Sequence, residues 1–303
     1  MNRPEEFLSY IDNLGMSDLK TDQEKESMLF KSAERLYSAN RYGPAANALQ
    51  RFLTQYPSGQ YSVKATYLLA SCLENTGRLE TAADTYHKVI RGGKGEYATL
   101  ATERLASIAY TLKEYDRAVE AYSALIASEG SPEVKTSASL GRMRAYYGAK
   151  RYDDVLKDAT FLLGSSSSEK TVVREARFLM AMSYLKKGDR DYAKPVFEDL
   201  ASDVSDEFGA ESKYLLVQDA FDHGDFMKVE SLVKEFATAA SDQRYWLAKS
   251  YIVLGDAYWE MDDLQQARIT YDTLLEGYSP SGDDDDVLEQ VRMRQKRLKP
   301  TRR

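Results

Sequence analysis

An all-α fold, a right-handed solenoid of about seven helix-turn-helix units followed by a capping helix, is the fold class that the sequence predicts. Three observations support it. A six-residue window recurs seven times at intervals of 36 to 38 residues. Apolar residues follow each window at spacings of four and three, which is typical of one face of a helix. No segment alternates between apolar and polar residues as a half-buried strand would.

The recurring window marks the turn and the start of the second helix in each unit. Its copies are NRYGPA (40–45), GRLETA (77–82), KEYDRA (113–118), KRYDDV (150–155), GDRDYA (188–193), GDFMKV (224–229) and DDLQQA (262–267). We call the last residue of each copy the pivot: Ala45, Ala82, Ala118, Val155, Ala193, Val229 and Ala267. Its small or β-branched side chain suits a place where helices pack closely.

Positions at fixed distances from the pivot predict the core. Four residues after it stand Leu49, Tyr86, Tyr122, Ala159, Phe197, Val233 and Tyr271, and three further on stand Phe52, Val89, Leu125, Leu162, Leu200, Phe236 and Leu274. Twelve before it stand Ala33, Ala70, Ala106, Met143, Ala181, Val217 and Gly255, most of them small, as two closely crossing helices require. We expect all three sets to face inward.

Breaker residues predict the domain limits. Pro57-Ser58-Gly59, GGKG (92–95), EGSP (129–132), GSSSS (164–168) and SPSG (279–282) separate successive units. We therefore expect a short N-terminal helix and linker at residues 1–22, the repeat array at 23–280, and a capping helix with a basic tail at 281–303.

The segment KEYDRAVEAYSALI (113–126) mixes acids, bases and tyrosines and could be mistaken for a catalytic cluster. Its place in the repeat indicates otherwise. Ala118, Tyr122 and Leu125 are predicted to pack inward, while Glu114 and its charged neighbours decorate a turn and the first turn of a helix, where acids are favoured by the helix dipole.

These features resemble the tetratricopeptide repeat, over about residues 26–280. The units are longer than the family's usual length, the unit-closing proline survives only as Pro57, and Arg142 and Met143 depart from the pattern in the fourth unit. The resemblance implies a superhelix whose concave face is lined chiefly by the first helix of each unit.

Two stretches narrow the resemblance. ANALQRFLTQYPSGQYSVKATYLLASCLENTGRLETAADTYHKVI is similar to envelope proteins of the BamD and CpoB types, and QRYWLAKSYIVLGDAYWEMDDLQQARITYDTLL resembles the closing unit of large Gram-negative repeat scaffolds. This implies a fragment of an exported protein acting in outer-membrane assembly, in the periplasm or cell envelope. The alternative is a cytoplasmic regulatory or chaperone-adaptor module that binds a signalling peptide.

Composition argues against several classes of function. The net charge of −7 is unlike that of a general nucleic-acid binder, and no apolar window is long enough for a membrane span. The first fifteen residues lack the pattern of a signal peptide. No catalytic or metal-binding motif occurs, and Cys72 lies within an apolar run. We expect a non-catalytic protein with no cofactor and no small-molecule substrate.

Aromatic residues recur on the predicted first helices. They stand fifteen or eight residues before the pivots, where nine of fourteen positions are aromatic. Such rings either fill gaps between helices or form a binding surface, because tyrosine and tryptophan are enriched at hot spots. We predict a concave groove that binds a protein or peptide partner through Phe30, Tyr37, Tyr67, Tyr110, Arg144, Tyr147, Phe178, Tyr214, Phe221 and Trp259.

The last segment has its own charge pattern. Four acids stand at 283–286, and seven Lys or Arg follow within 292–303. This polarity suits a solvated capping helix, which solenoids need at their ends. The alternative is a basic tail that docks on anionic lipid or an acidic partner.

Overall fold

A computed structural model describes residue 6 and residues 21–92, 95–164, 169–239, 242–282 and 284–298. The described residues form helices joined by turns and contain no strand. The first helices of the repeats are α1 (Asp22–Ser38), α3 (Ser62–Asn75), α5 (Glu96–Thr111), α7 (Pro132–Gly148), α9 (Lys170–Lys187), α11 (Glu207–Asp222) and α13 (Arg244–Glu260). The second helices are α2 (Tyr42–Gln55), α4 (Leu79–Arg91), α6 (Tyr115–Ala127), α8 (Tyr152–Leu163), α10 (Arg190–Leu200), α12 (Phe226–Thr238) and α14 (Leu264–Gly277), and α15 spans Val287–Leu298.

The predicted all-α repeat fold is confirmed, with the helix pairs in the expected order. The chain divides into two compact units, Met1–Arg151 and Tyr152–Arg303. The division falls between the two helices of the fourth repeat. Most of the N-terminal helix predicted within 1–22 lies outside the described residues.

The core consists of the positions that the repeat predicts. Every pivot is fully or almost fully buried, and so is every residue seven positions after a pivot. The position four after the pivot is buried in six repeats. In the third repeat this position is Tyr122, which is half-buried and packs against Ala109, Ala118 and Ala145. Burial of these apolar side chains stabilises each repeat against its neighbours.

Each turn between paired helices contains one residue in the left-handed region of backbone space. It is the first residue of the recurring window: Asn40, Gly77, Lys113, Lys150, Gly188, Gly224 and Asp262, with φ between 56° and 88°. The next N–H donates to a carbonyl oxygen five residues earlier at 2.8 to 3.0 Å, as from Arg41 to Leu36 and from Asp263 to Tyr258. This bond is the 6→1 bond of a Schellman motif, which ends the first helix and reverses the chain.

Close helix contacts explain why particular positions must be small. A Cβ atom added at Gly255 would lie 2.4 Å from the ring of Tyr271, and one at Gly141 would lie 2.4 Å from the ring of Tyr122. In both places, a tyrosine four residues after a pivot lies directly on the backbone of a first helix. Each of these tyrosines therefore requires a glycine on the first helix that its ring contacts.

Helix α15 packs on the last repeat. Val287 and Val291 are fully buried in a cluster with Ile252 and Tyr271. The acid directly before the helix helps to hold it, because the carboxylate of Asp286 accepts hydrogen bonds from the phenol of Tyr245 and the ammonium group of Lys249, all at 3.3 Å. Residues 299–303 of the basic tail lie outside the described part of the chain.

Candidate protein-binding surface

The predicted binding residues fall into two structural groups. Four rings stand fifteen residues before a pivot: Phe30, Tyr67, Phe178 and Tyr214. Each contacts an aromatic residue at the start of the next first helix, with ring centroids 4.5 to 5.6 Å apart; the pairs are Phe30–Tyr61, Tyr67–Tyr97, Phe178–Phe208 and Tyr214–Trp246. This group therefore joins successive repeats.

Two members of that group are core residues, and their assignment to a binding face was wrong. Phe30 is 1% exposed and stacks on Tyr61 while also contacting Phe52. Phe178 is 8% exposed, between Phe197 and Phe208. The aromatic residue of the following repeat covers each of them, so neither ring is available to a partner.

The second group stands eight residues before a pivot and is more accessible. Tyr37, Tyr147, Phe221 and Trp259 are half-buried, and Tyr110 is 38% exposed. Arg144, on the same helix as Tyr147, is exposed. These residues lie near the C-terminal ends of first helices α1, α5, α7, α11 and α13.

Some of these rings also pack across the turn between the two helices of their repeat. Three of them contact an aromatic residue at the start of the second helix, with centroids 5.7 to 6.0 Å apart, in the pairs Tyr37–Tyr42, Tyr110–Tyr115 and Phe221–Phe226. The phenol oxygen of Tyr37 also lies 3.0 Å from Oγ of Ser71 in the next repeat. One side of each ring thus packs on its own repeat, which fixes the ring's orientation. A partner that contacts the ring then loses little of the ring's conformational entropy on binding.

The second repeat has a polar contact at the position where the repeats above have a ring. There Glu74 takes the position eight residues before the pivot, and its Oε2 accepts hydrogen bonds from the phenol of Tyr86 at 2.8 Å and from Nε of Arg104 at 3.1 Å. Burial, followed by the hydrogen bond to Glu74, raises the pKa of the Tyr86 phenol. The carboxylate is therefore committed to the contact between repeats.

Two groups that could carry acid-base or nucleophilic chemistry have raised pKa values. Burial raises the pKa of the Cys72 thiol to about 11, which disfavours the reactive thiolate. Burial, with a smaller effect of Glu207, raises the pKa of the Glu211 carboxyl to about 7. Within the described part of the chain, no group of three or more His, Cys, Asp or Glu residues could hold a metal ion. Among the described helices, none combines the length and the apolar character that crossing a bilayer demands.

Family comparisons account for most of the repeats. The tetratricopeptide repeat-like domain family matches residues 16–131, and two tetratricopeptide repeat families match residues 175–206 and 248–276. These segments are tetratricopeptide repeats. Proteins built from such repeats generally mediate protein–protein interaction and are typically non-catalytic.

One solved structure shows the same fold at low sequence identity. A tetratricopeptide repeat protein from Parabacteroides merdae is 17% identical with a TM-score of 0.57, and the match covers 89% of this chain and 98% of that chain. MamA from Desulfovibrio magneticus is 15% identical with a TM-score of 0.46, over 59% of this chain and 93% of that one. The curated proteins include no match to this chain.

Two structural features were missed by sequence reasoning. One is the residue with left-handed backbone conformation at the start of every window. In five repeats it is Asn, Gly or Asp, which favour this conformation, but in two repeats it is Lys, which does not. The other is an apolar groove between second helices near Ile269. Its signal in the sequence is an isoleucine at a position that is polar or proline in the other repeats.

Proposed function

We propose that this chain is a non-catalytic scaffold that binds a partner polypeptide through the accessible rings of its first helices. The proposal concerns Tyr37, Tyr67, Tyr110, Arg144, Tyr147, Tyr214, Phe221 and Trp259, without the two buried phenylalanines. The observation that carries it is Tyr110, which is 38% exposed although one edge packs on Tyr115. An amphipathic ring already fixed in place adds large contact area to a complex at low entropic cost.

The rings repeat along the chain, which favours an extended or helical partner over a compact one. Within the first unit, Tyr37, Tyr110 and Tyr147 occupy equivalent positions on α1, α5 and α7. Each has a hydroxyl at the end of an apolar ring, and that of Tyr37 already lies 3.0 Å from Oγ of Ser71. Arg144 adds an exposed cation beside Tyr147. A partner that combines apolar side chains with carbonyl or carboxylate acceptors fits this surface.

The test is partner capture with matched variants. The wild-type chain and a Tyr110→Ala, Tyr147→Ala, Trp259→Ala triple variant are immobilised and exposed to native extract, and circular dichroism verifies that both are folded. We expect the triple variant to lose the captured partner, because hot-spot rings carry a large share of binding energy.

A control variant tests whether capture depends on the proposed surface or on any exposed aromatic side chain. Phe161 and Tyr192 are 75% and 67% exposed, but they lie on second helices α8 and α10. The Phe161→Ala, Tyr192→Ala variant should capture the partner as well as the wild type does. Equal capture by the triple variant, or loss only in the control, would refute the proposed surface.

The compartment is a second part of the proposal. The stretches that resemble BamD-type, CpoB-type and large Gram-negative scaffolds support a role in envelope assembly, in the periplasm or at the cell envelope. Fractionation of native cells with antibody against the chain tests it, since the signal should follow periplasmic and envelope markers. A signal that follows cytoplasmic markers would favour the regulatory or chaperone-adaptor function instead.

A further inference from the structure

The second unit contains an apolar groove on the second-helix side of its last two repeats. The groove has a volume of about 570 Å³ and lies between α12 and α14, with α13 as its floor. Its floor residues are mostly apolar: Leu247, Ala248, Tyr251, Leu254 and Tyr258. The floor runs from Leu247 to Tyr258, which at 1.5 Å per residue is roughly 16 Å, or three helical turns.

Ile269 forms one wall of this groove and is 48% exposed. It stands two residues after the pivot, on the face of the second helix that points away from the core. The six equivalent residues are Asn47, Asp84, Glu120, Lys157, Pro195 and Ser231. The repeat therefore does not require an apolar side chain at this position, and Ile269 adds to the apolar lining of the groove.

A groove at the equivalent place in the first two repeats supports this interpretation. It has a volume of about 630 Å³ and lies between α2 and α4 over α3. Thr66 and Leu73 replace Tyr251 and Tyr258, and Lys88 replaces Thr273. The same repeat geometry thus forms both grooves, and the local sequence makes the lining of the later one more apolar.

Both charged side chains that line the groove are basic, and one carboxylate, that of Glu230, contacts Lys234 and Tyr258 in the lining of the apolar groove. Its lining includes Lys234 and Arg244 and no carboxylate, although the chain as a whole is acidic. Lys234 is already paired, with Nζ 2.6 Å from Oε1 of Glu230. Arg244 is exposed and has no carboxylate within ion-pair distance among the described residues.

Hydrogen-bonding groups follow the same wall as Ile269. Gln266 is exposed at the N-terminal end of α14, while Arg244 begins α13, so the two polar groups lie toward opposite ends of the groove. The hydroxyls of Thr270 and Thr273 donate to carbonyls of their own helix at 2.8 Å and remain free to accept. Polar groups spread along one wall suit the backbone and side chains of a peptide better than an acyl chain.

We propose that this groove binds an amphipathic peptide segment of a partner protein, about three helical turns long, with apolar residues on Ile269 and Tyr251 and an acidic residue on Arg244. The proposal is independent of the first-helix rings, because none of those rings lines the groove. The second unit would then bind a polypeptide on its second-helix side as well.

A peptide selection tests this site. Random 16-residue peptides displayed on phage are selected on the full chain and counter-selected on an Ile269→Asp variant, which should fold because the side chain is half exposed. We expect the recovered peptides to be enriched in acids beside apolar residues spaced three and four apart. In fluorescence anisotropy, Ile269→Asp should weaken their binding at least tenfold, and Arg244→Glu at least threefold.

A charge exchange and two controls complete the test. Replacing the peptide's acid by lysine should restore binding to Arg244→Glu. Phe161→Asp, a matched exposed-apolar-to-acid change outside the groove, should leave binding unchanged, and so should the Tyr110→Ala, Tyr147→Ala, Trp259→Ala variant. The proposal is overturned if no peptide depends on Ile269, or if those that do are basic. It is also overturned if Ile269→Asp instead abolishes self-association of the chain or binding to phosphatidylglycerol vesicles while no peptide is recovered.

Discussion

The phenol oxygen of Tyr271 lies 2.7 Å from Oδ1 of Asp256, and Nε of Arg294 lies 2.8 Å from both carboxylate oxygens. One acid on α13 thus connects the second helix of its repeat to the terminal helix α15. The same arrangement occurs in the second repeat, where Glu74 joins Tyr86 to Arg104. A buried tyrosine therefore serves both packing and polar contact between successive helices.

Removing the hydroxyl alone should measure the polar part of this contact. Tyr271→Phe keeps the buried ring, and Asp256 keeps Arg294, so we expect a loss of about 1.5 kcal/mol in the free energy of unfolding. Urea denaturation followed by circular dichroism measures it. Tyr192→Phe, at an exposed tyrosine, should change the value by less than about 0.5 kcal/mol; equal effects of the two substitutions would contradict the assigned contact.

The ring itself imposes the glycine beneath it. Gly255→Ala places a methyl group 2.4 Å from a ring atom of the buried Tyr271, so we expect a destabilisation of about 1 to 3 kcal/mol. The control is Gly43→Ala near the start of α2, where an added Cβ meets nothing within 4 Å and helix propensity favours alanine. Thermal unfolding should show opposite shifts for the two variants. A stabilising Gly255→Ala would contradict the packing.

The turn residues allow a substitution that stabilises the chain. Lys113 has φ of 60°, a conformation that costs an L-residue about 1 kcal/mol and glycine nothing. Lys113→Gly should therefore raise the unfolding temperature by a few degrees. Gly188→Ala is the reverse change at an equivalent turn with φ of 88° and open space around it, and it should lower the unfolding temperature. If Lys113→Gly instead destabilises the chain, the left-handed assignment fails.

The carboxyl of Glu211 should make stability depend on pH. Its pKa is raised to about 7 by burial from an ordinary value of 4.5, so the folded state holds a proton that the unfolded state has released. The free energy of unfolding should consequently fall as pH rises from about 4.5 to 7. Glu211→Gln should reduce that fall and raise the unfolding temperature at pH 8. The exposed Glu120→Gln is the control, and a profile that Glu211→Gln leaves unaltered would exclude this cause.

The repeat period predicts the core because each helix pair must bury the same face. Ala118 and Leu125 are buried as their spacing requires, and the charged residues just before Ala118 form surface ion pairs such as Arg117–Glu114 at 3.1 Å. These packing contacts and ion pairs join residues of one repeat or of neighbouring repeats. They can therefore be predicted from the spacing of residues along the chain.

The exposure of the first-helix rings is harder to predict because it depends on the next repeat. Phe30 and Tyr67 occupy the same position, yet Phe30 is covered by Tyr61 and Phe52 while Tyr67 remains half-buried between Tyr86 and Tyr97. Each ring meets a tyrosine about thirty positions later, Tyr61 or Tyr97, so its accessibility is decided by how closely that neighbour and the rings of its own repeat pack over it. A pattern read at one position in each unit does not include that neighbour.

Site-specific crosslinking at Tyr110 tests the central claim most directly. A photoreactive phenylalanine derivative replaces Tyr110 in one variant and the more exposed Phe161 in another, and both are irradiated in native cells. The proposed surface predicts one discrete polypeptide adduct from position 110, lost when Tyr37→Ala and Tyr147→Ala are added, and no such adduct from position 161. An adduct from position 161 alone, or none from position 110, would contradict it.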